Sequence, residues 1–318
     1  MSGKPRLILD CDPGNDDALA LAAALVFADL AGVTTVYGNG DVDACLANAQ
    51  VAANVCGYAG PILRGAPRPL INDRPPASPA QPFSTLASAR AWEFSLGANA
   101  APAANASTFL EDAADSATWI VATAPLTNLA LALRRDPALA PRIQGISIMG
   151  GSMRGGNVTP VAEFNIWSDP EAARIVLTSG ASLRLCGLHV THRVLADKKL
   201  VEDIRQLRAR SSPFLAELLD IYIDTYPDAF VGEHRAPLHD PCAVLAVTHP
   251  HLFEWRNFPV DVELTGALTR GMTVVDERSH PSNAERQPSR HPPDVSVAVD
   301  CDSRAILDKM VEAAASLR

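Results

Sequence analysis

A run of eight residues near the start of the chain carries four carboxylates. It extends from Asp10 to Asp17 and reads DCDPGNDD. Four like charges this close repel one another, so they either take up protons or gather around a cation. Hard oxygen ligands favour Ca²⁺ or Mg²⁺ over zinc. Helix capping could account for one or two of these carboxylates but not for four, so the run predicts a metal-binding or catalytic site.

Five further polar residues follow predicted strands or lie among apolar neighbours. Asn39 follows the second predicted strand, where it could also be an ordinary turn residue, and Thr123 follows the third. A tight turn after Thr123 could aim its backbone carbonyl at the acidic run as a neutral oxygen ligand. Asn157, Glu163 and Asn165 lie among hydrophobic residues, and burying such groups unpaired costs about 1–3 kcal/mol each. We therefore expect them to pair with backbone groups or with a ligand.

The pair His239-Asp240 stands directly before a predicted helix that contains Pro241. Asp169-Pro170 opens an earlier helix, with the aspartate as cap and the proline in the first turn. Asp240 could merely cap its helix in the same way, but a capping carboxylate keeps lone pairs and could also be a metal ligand. His239 is a candidate functional residue because it adjoins this potential ligand.

Short β-prone runs alternate with helix-forming runs along most of the chain, which is typical of a parallel sheet with crossover helices. In such sheets ligands bind at the carboxyl ends of the strands, where the acidic run lies. We therefore predict an α/β fold with one domain over residues 1–318, an open, mostly parallel Rossmann-like sheet and helices on both faces. The predicted strands are residues 6–9, 31–37, 118–122, 143–149, 182–185 and 295–299, with a hairpin of residues 260–264 and 272–275. The predicted helices include residues 18–27, 43–58, 126–133, 169–177 and 303–317.

Three segments interrupt this pattern. Residues 60–84 are rich in proline, and a segment of this kind is predicted to be a surface loop or lid. Residues 224–236 are a second expected mobile loop, and residues 276–293 are a polar segment that we place on the surface.

Composition limits the classes of function. The chain has 318 residues, of which 47% are hydrophobic, and its formal net charge is -9. An acidic chain is a poor nucleic-acid binder, because phosphate contacts need clustered Lys and Arg. The six cysteines form no CxxC pair, which favours reduced thiols in a cytoplasmic protein. We expect no signal peptide, because no apolar stretch precedes the first strand, and no membrane span.

At this point the residues match a family. The chain resembles the inosine–uridine-preferring nucleoside hydrolases in blocks that occur in order along nearly its whole length. The matching blocks are DCDPGNDDALAL (10–21), YGN (37–39), ATAPLTNLALAL (122–133), MGG (149–151), GNVTPVAEFNIWSDPEAARIVL (156–177), PLHDPCAV (237–244) and GALTRGMTVVD (266–276).

The resemblance implies a role for each candidate residue. Asp12 matches the general base, which also binds Ca²⁺, and His239 matches a histidine proposed to protonate the leaving base. The implied calcium ligands are the carboxylates of Asp12, Asp17 and Asp240 and the backbone carbonyl of Thr123. The residues implied to hold the ribose hydroxyls are Asp16, Asn39, Asn157, Glu163 and Asn165. Asp10 belongs to the motif as a supporting residue, and the family forms homotetramers or homodimers.

Two positions depart from the family pattern. Many members carry a His-Gly motif in a loop that here spans residues 78–84 and contains no histidine, so a leaving-group role for that residue is absent. Phe83 is a candidate for stacking on a purine instead. Ala124 stands where glycine is usual, which restricts the turn that must position Thr123.

The resulting hypothesis is calcium-dependent hydrolysis of the N-glycosidic bond of a small-molecule ribonucleoside, with Asp12 as base and no preferred nucleobase assigned. One alternative is a non-catalytic paralogue that binds a nucleoside or ribose without turnover. Another is a phosphatase of the haloacid-dehalogenase type, which also starts with an Asp-x-Asp loop. That class needs Thr or Val two residues past the second aspartate, where this chain has Gly14.

Overall fold

The computed structural model describes residues 3–72, 105–227, 231–232, 234–278 and 294–317. Its strands are β1 (Arg6–Cys11), β2 (Asp29–Thr35), β3 (Ile62–Arg64), β4 (Thr118–Ala122), β5 (Gly145–Met149), β6 (Leu183–Cys186), β7 (Leu195–Asp197), β8 (Arg235–Pro237), β9 (Phe253–Val262), β10 (Thr273–Val275) and β11 (Asp294–Cys301). Nine of these strands form one sheet, and β7 and β8 pair separately as a short antiparallel ribbon.

The order of the large sheet is β10-β9-β11-β6-β5-β4-β1-β2-β3. The seven strands from β11 to β3 run parallel, while β9 and β10 are antiparallel at one edge. The chain winds outward from β1 through β2 to β3 and then returns to place β4 on the other side of β1. The carboxyl ends of β1 and β4 therefore form a topological switch point, which is where open α/β sheets bind their ligands.

Helices cover both faces of the sheet, as predicted. They are α1 (Asp17–Phe27), α2 (Val42–Cys56), α3 (Ala106–Ala113), α4 (Thr127–Arg135), α5 (Leu139–Arg142), α6 (Phe164–Ser168), α7 (Pro170–Leu177), α8 (Leu188–Thr191), α9 (Lys198–Arg205), α10 (Ser212–Thr225), α11 (Asp240–Thr248) and α12 (Ser303–Ser316), and a 3-10 turn spans Pro250–Leu252.

Strand β1 shows how the two faces are filled. Leu7 and Leu9 pack into the apolar layer that contains α1, α10 and α11, whereas Ile8 packs into the opposite layer with α4 and α7. Successive side chains of a strand point to opposite faces, so a continuous apolar strand is buried on both sides. Burying each such side chain contributes about 1.5–3 kcal/mol, and this holds the loop after β1 in a fixed place.

The α/β class and the mostly parallel sheet are confirmed, but several bounds differ from the predictions. Strand β2 begins two residues before the predicted start, and the antiparallel pair β9 and β10 occupies the place of the predicted hairpin. Residues 62–64, which lie inside the expected proline-rich loop, form β3 instead, because Ile62 and Leu63 are buried beside β2.

Parts of the other expected loops can also be placed. Helix α10 covers residues 224–225, and strand β8 begins at Arg235. Residues 276–278 follow β10 with mostly exposed side chains, while 73–84, which include Phe83, and 279–293 lie outside the described residues. Among the helices that the structure describes, none is long and apolar enough to cross a membrane.

Candidate active site

A cavity of about 380 Å³ opens at the carboxyl ends of β1 and β4. We call it the first cavity. It is lined by Asp12, Gly14, Asn15, Asp16, Asn39, Thr123, Met149, Asn157, Glu163, Phe164, Asn165, Tyr222, Thr225, Tyr226, His239 and Asp240. Most of the candidate residues from the sequence are therefore brought together, although they come from segments far apart in the chain.

Three carboxylates meet beside this cavity. An oxygen of each of Asp16, Asp17 and Asp240 lies within 4.8 Å of an oxygen of the other two, and all three residues are buried. We call these residues the three-carboxylate group. Asp16 and Asp17 follow β1, whereas Asp240 begins α11. These like charges are therefore brought together by the overall fold and not by a local turn of the chain.

Asp17 is held by two contacts that fix the direction of its carboxylate. The backbone N–H of Gly14 donates to Oδ2 at 2.8 Å, and the hydroxyl of Thr123 donates to Oδ1 at 3.0 Å. Thr123 is itself fixed to β1, because its backbone N–H donates to the carbonyl of Asp10 at 2.9 Å. The carboxyl ends of β1 and β4 are thus tied together at the acidic run.

Asp12 lines the first cavity but lies outside the three-carboxylate group. Its Oδ2 accepts the backbone N–H of Asn39 at 2.7 Å, and the Asn39 amide donates to the Asp12 carbonyl at 3.1 Å. Gly38 makes this approach possible, since a Cβ at that position would overlap Oδ2 of Asp12. The turn after β2 therefore closes directly on the Asp12 carboxylate.

The start of α11 differs from the sequence expectation. Its N-cap is His239, and the carboxylate of Asp240 makes no capping hydrogen bond. The carboxylate of Asp16 caps this helix start instead, because its Oδ2 accepts the backbone N–H groups of His239 at 3.1 Å and Asp240 at 3.4 Å. The carboxylate of Asp240 consequently faces the other acids.

The acids of the site hold protons more tightly than ordinary carboxyl groups. Burial raises the pKa of Asp16 to about 6, and burial together with the charge of Asp16 raises the pKa of Asp17 to about 7. Burial and then the neighbouring carboxylates raise the pKa of both Asp12 and Asp240 well above the usual value. A cation among these groups would relieve the repulsion that causes part of this shift.

Asp10 is buried beneath the site rather than in it. Its Oδ1 accepts the hydroxyl of Thr34 at 2.6 Å and the amide of Asn128 at 2.7 Å, while Oδ2 has no partner. Burial raises its pKa to about 6. Because Asn128 also donates to the carbonyl of Thr35 at 3.0 Å and accepts the N–H of Ala66 at 2.8 Å, Asp10 supports the strand ends that carry the site.

Glu163 and Asn165 line the opposite side of the cavity. Glu163 caps α6 by accepting the N–H groups of Asn165 and Ile166, and it also accepts the N–H of Gly151 at 2.9 Å. Burial nevertheless raises its pKa to about 7. The Asn165 amide donates to the carbonyls of Thr123 and Met149, both at 3.1 Å. Both side chains are thus partly engaged with backbone groups, as the sequence left open.

Asn157 reaches the cavity from the loop after β5. Its side-chain carbonyl accepts the backbone N–H of Phe164 at 2.9 Å, which leaves its amide N–H groups as possible donors to a ligand. Phe164 lines the same wall.

His239 is buried at the rim of the cavity. Its Nδ1 lies 2.8 Å from the hydroxyl of Thr191, and its Nε2 lies 3.4 Å from the hydroxyl of Tyr226. Burial, and next the charge of His192, lower its pKa to about 3, so the imidazole is neutral at pH 7 in this arrangement.

Sequence reasoning missed the contribution of α10. Tyr222, Thr225 and Tyr226 line the first cavity from this helix, and the two tyrosine rings pack edge to face at 5.5 Å. The signal was present, because tyrosines at i and i+4 share one face of a helix, but the helix itself was not among the predicted elements.

The donor set of the site fits a hard divalent cation. The acids that could hold it are the three-carboxylate group, whose oxygens lie within 4.8 Å of one another, and Asp12, which lines the same cavity. Hard oxygen donors of this kind suit Ca²⁺ or Mg²⁺. In the described part of the chain, no Lys or Arg forms a salt bridge with these acids.

Comparison with known proteins decides the family. The model of the family described as inosine-uridine preferring nucleoside hydrolase matches residues 7–308. The chain belongs to the inosine-uridine preferring nucleoside hydrolase family. It is accordingly a nucleoside hydrolase, an N-glycosidase that acts on nucleosides, and this outcome disfavours the phosphatase alternative.

Relatives of this nucleoside hydrolase cover most of its length. A pyrimidine-specific ribonucleoside hydrolase RihA of Enterobacter sp. (strain 638) is 38% identical over 312 residues, which are 96% of each chain. An inosine-uridine preferring nucleoside hydrolase of Leishmania major is 36% identical over 290 residues, 89% of this chain and 91% of that protein.

A solved structure agrees with the fold of this nucleoside hydrolase. The purine-preferring ribonucleoside hydrolase from Gardnerella vaginalis superposes with a TM-score of 0.84 at 29% identity, covering 98% of each chain. The open sheet predicted from the sequence is therefore the sheet of a known nucleoside hydrolase. The homotetramer or homodimer and the cytoplasmic location stay predictions.

Proposed function

We propose that this nucleoside hydrolase cleaves ribonucleosides in a calcium-dependent reaction with Asp12 as the general base, releasing ribose and the free nucleobase. One observation carries the proposal. Carboxylates from the end of β1 and the start of α11 meet beside a single cavity that Asp12 also lines. Such an arrangement is electrostatically costly without a cation and is expected where metal and substrate meet.

Asp12, Asp17 and Asp240 would hold the ion through carboxylate oxygens, and Thr123 through its backbone carbonyl. The Asn165 amide already donates to that carbonyl, but a carbonyl oxygen has a second lone pair. When bound, calcium would supply positive charge that lowers the pKa of a water molecule and orients the ribose hydroxyls.

Asp12 is the proposed base because its surroundings fix one oxygen and leave the other to act. Oδ2 accepts the N–H of Asn39, so Oδ1 is available to take a proton from the attacking water. Burial increases the proton affinity of this carboxylate, which brings a base closer to the operating pH.

The remaining polar side chains would hold the sugar. Asp16, Asn39, Asn157, Glu163 and Asn165 are the proposed contacts to the ribose hydroxyls. Attack at C1′ builds positive charge on the ring, as in glycoside hydrolysis, and fixed acceptors around the ring stabilise that charge. The contacts of Glu163 and Asn165 with backbone groups hold them ready for this task without reorganisation.

The nucleobase would lie against Phe164, Tyr222 and Tyr226, three aromatic residues that line the first cavity. His239 is the proposed group that assists its departure. The names of the relatives include pyrimidine-specific, inosine-uridine preferring and purine-preferring enzymes, so the substrate proposed for this chain is the ribonucleoside class as a whole.

The direct test is reducing-sugar release from inosine, adenosine, uridine and cytidine. We expect at least one substrate to be hydrolysed by protein supplied with Ca²⁺, with the activity lost after treatment with a chelator and restored by added Ca²⁺. Turnover that is unchanged by the chelator would contradict calcium dependence. Binding of a nucleoside without release of ribose would instead support the non-catalytic paralogue.

Asp12→Asn tests the base. We expect turnover to fall by roughly 10²–10⁴-fold, the range of a general-base contribution, because the amide is nearly isosteric but cannot accept the proton. Asp41→Asn is the matched control, since Asp41 is an exposed cap of α2 and asparagine caps equally well. Equal activity of the two variants would remove Asp12 from this role.

A further inference from the structure

A second cavity of about 640 Å³ lies on the other side of the wall that carries His239. Its lining includes His189, His192, Arg193 and Arg256. His192 belongs to this second cavity, whereas His239 lines the first, and their ring centroids are only 5.5 Å apart. Two imidazoles therefore stand back to back, one in each cavity.

The hydroxyl of Tyr226 connects these two rings. It lies 3.4 Å from Nε2 of His192 and 3.4 Å from Nε2 of His239, and Tyr226 also lines the first cavity. The other ring nitrogen of His239 contacts the hydroxyl of Thr191. Both nitrogens of His239 are thus engaged within the protein, so His239 would assist the departing base by holding the Tyr226 hydroxyl, which adjoins both histidines and the first cavity.

We propose that His192 is the proton source for the departing nucleobase and acts through the hydroxyl of Tyr226. The inference rests on the proposed hydrolysis of nucleosides. As the C1′–N bond breaks, its electron pair goes to the base nitrogen, which takes the proton of the Tyr226 hydroxyl. Burial lowers the pKa of His192, so its imidazolium, once formed by a proton from solvent, is a stronger acid than a free one. It gives its Nε2 proton to the same oxygen and becomes neutral. It is recharged by a proton from solvent in the second cavity.

The chemistry of Tyr226 requires such a partner. Burial raises the pKa of its hydroxyl above the ordinary value, so a bare phenolate in this wall is disfavoured. The hydroxyl can therefore give up its proton only when another arrives at the same time. His192 is half-buried and reaches the second cavity, whereas His239 is buried with both nitrogens engaged, so His192 is the imidazole that solvent can recharge.

His192→Phe tests the path, because phenylalanine keeps an aromatic ring and removes both nitrogens. The substrates are inosine or uridine, whose bases leave poorly, and 4-nitrophenyl riboside, whose leaving group needs no proton. We expect the single-turnover rate on the nucleoside to fall by roughly tenfold or more, below the full general-acid range. The rate on the nitrophenyl riboside should stay within about twofold. His251→Phe, at an exposed histidine remote from both cavities, should leave both rates unchanged.

Two further measurements separate proton delivery from a structural effect. Tyr226→Phe combined with His192→Phe should slow the nucleoside no more than the more damaging single change, because both interrupt one path. In His192→Ala, added imidazole should enter the second cavity and restore turnover of the nucleoside, with no effect on the His251→Ala control.

Equal losses on both substrates, full additivity of the two changes, or an unchanged rate in His192→Phe would each overturn the role of His192. Hydrolysis of the nitrophenyl riboside by the unsubstituted protein would meanwhile confirm that the hydrolase itself works. If the unsubstituted protein releases ribose from neither substrate, the proposed function fails, and this inference fails with it.

Discussion

Two Asp-Pro pairs open helices in this protein, and their carboxylates meet opposite surroundings. Asp169, before α7, accepts the N–H of Ala172 at 3.1 Å, the N–H of Leu70 at 2.9 Å and the hydroxyl of Thr127 at 2.7 Å. Asp240, at the start of α11, makes no capping hydrogen bond and faces Asp16 and Asp17. The first carboxylate is surrounded by donors and the second by other anions.

The comparison shows that the local sequence sets the helix start but not the task of the aspartate. Both pairs have proline in the first turn of the helix, which suits its fixed φ. At α11 the capping is done by Asp16 from the distant end of β1, so the Asp240 carboxylate is released for the three-carboxylate group. The donors around Asp169 stabilise the fold, whereas the carboxylates around Asp240 repel one another and would be stabilised by a bound cation.

Replacing the anion-rich aspartate should have the largest effect. Asp240→Asn removes a proposed calcium ligand, so we expect turnover to fall by about 10²-fold or more. The stabilisation by added Ca²⁺, measured as a shift in Tm, should shrink as well. Because one repelling charge is gone, the metal-free variant should be at least as stable as the metal-free parent. A variant that is much less stable without metal would show that Asp240 serves the fold as Asp169 does.

The pH dependence of the metal-free protein should be the next largest effect. A carboxyl group whose pKa is raised by folding stabilises the folded state fully below its ordinary pKa near 4, and this contribution disappears as pH rises through the folded-state pKa. Those values are about 6 for Asp16 and about 7 for Asp17 and Glu163. We therefore expect Tm without metal to be lower at pH 8 than at pH 5, by roughly 5 °C or more.

Calcium should reverse this loss at pH 8, because ligand binding to the folded state stabilises it. Differential scanning calorimetry at both pH values, with and without Ca²⁺, checks the sign. The dependence should be weaker in Asp240→Asn. A metal-free Tm that rises steadily from pH 5 to pH 8 would mean that folding does not raise the pKa values of these acids.

Replacing the donor-rich aspartate should give the smallest effect, confined to stability. Asp169→Ala leaves the first turn of α7 uncapped and the N–H of Leu70 without its acceptor. We expect a loss of about 1–3 kcal/mol in the free energy of unfolding, measured by urea denaturation, while the kcat of the folded protein changes little. A large loss of calcium binding in this variant would erase the distinction between the two helix starts.

The fold was largely readable from the sequence because alternating strands and helices leave a strong pattern. The exceptions have local causes. Strand β3 is only three residues long and lies among prolines, so its sequence resembles that of a loop. Its strand conformation depends on pairing with β2, which the local sequence does not show. Strand β9 extends from Phe253 to Val262, although Glu254 and Arg256 are exposed on it, and these charges concealed its first half.

The site was predictable where its residues are dense in sequence and unpredictable where it depends on packing. The acidic run of residues 10–17 predicted a site because four carboxylates so close together repel one another. Tyr222 and Tyr226 were missed because α10 was not among the predicted elements, and their i, i+4 spacing alone does not state which face of the helix is turned toward the site. The capping of α11 by Asp16 is likewise a contact across more than two hundred residues, and no local pattern encodes it.

The separation of the proposed calcium ligands Asp12, Asp17 and Asp240 along the chain has a consequence for how the protein is made. The first two carboxylates leave the ribosome early, but the third emerges only after most of the chain has been synthesised. A nascent or truncated chain therefore cannot capture the ion with all its ligands. Calcium would bind only when the last of these segments has docked. An incompletely synthesised or truncated chain would therefore lack the ion and be inactive.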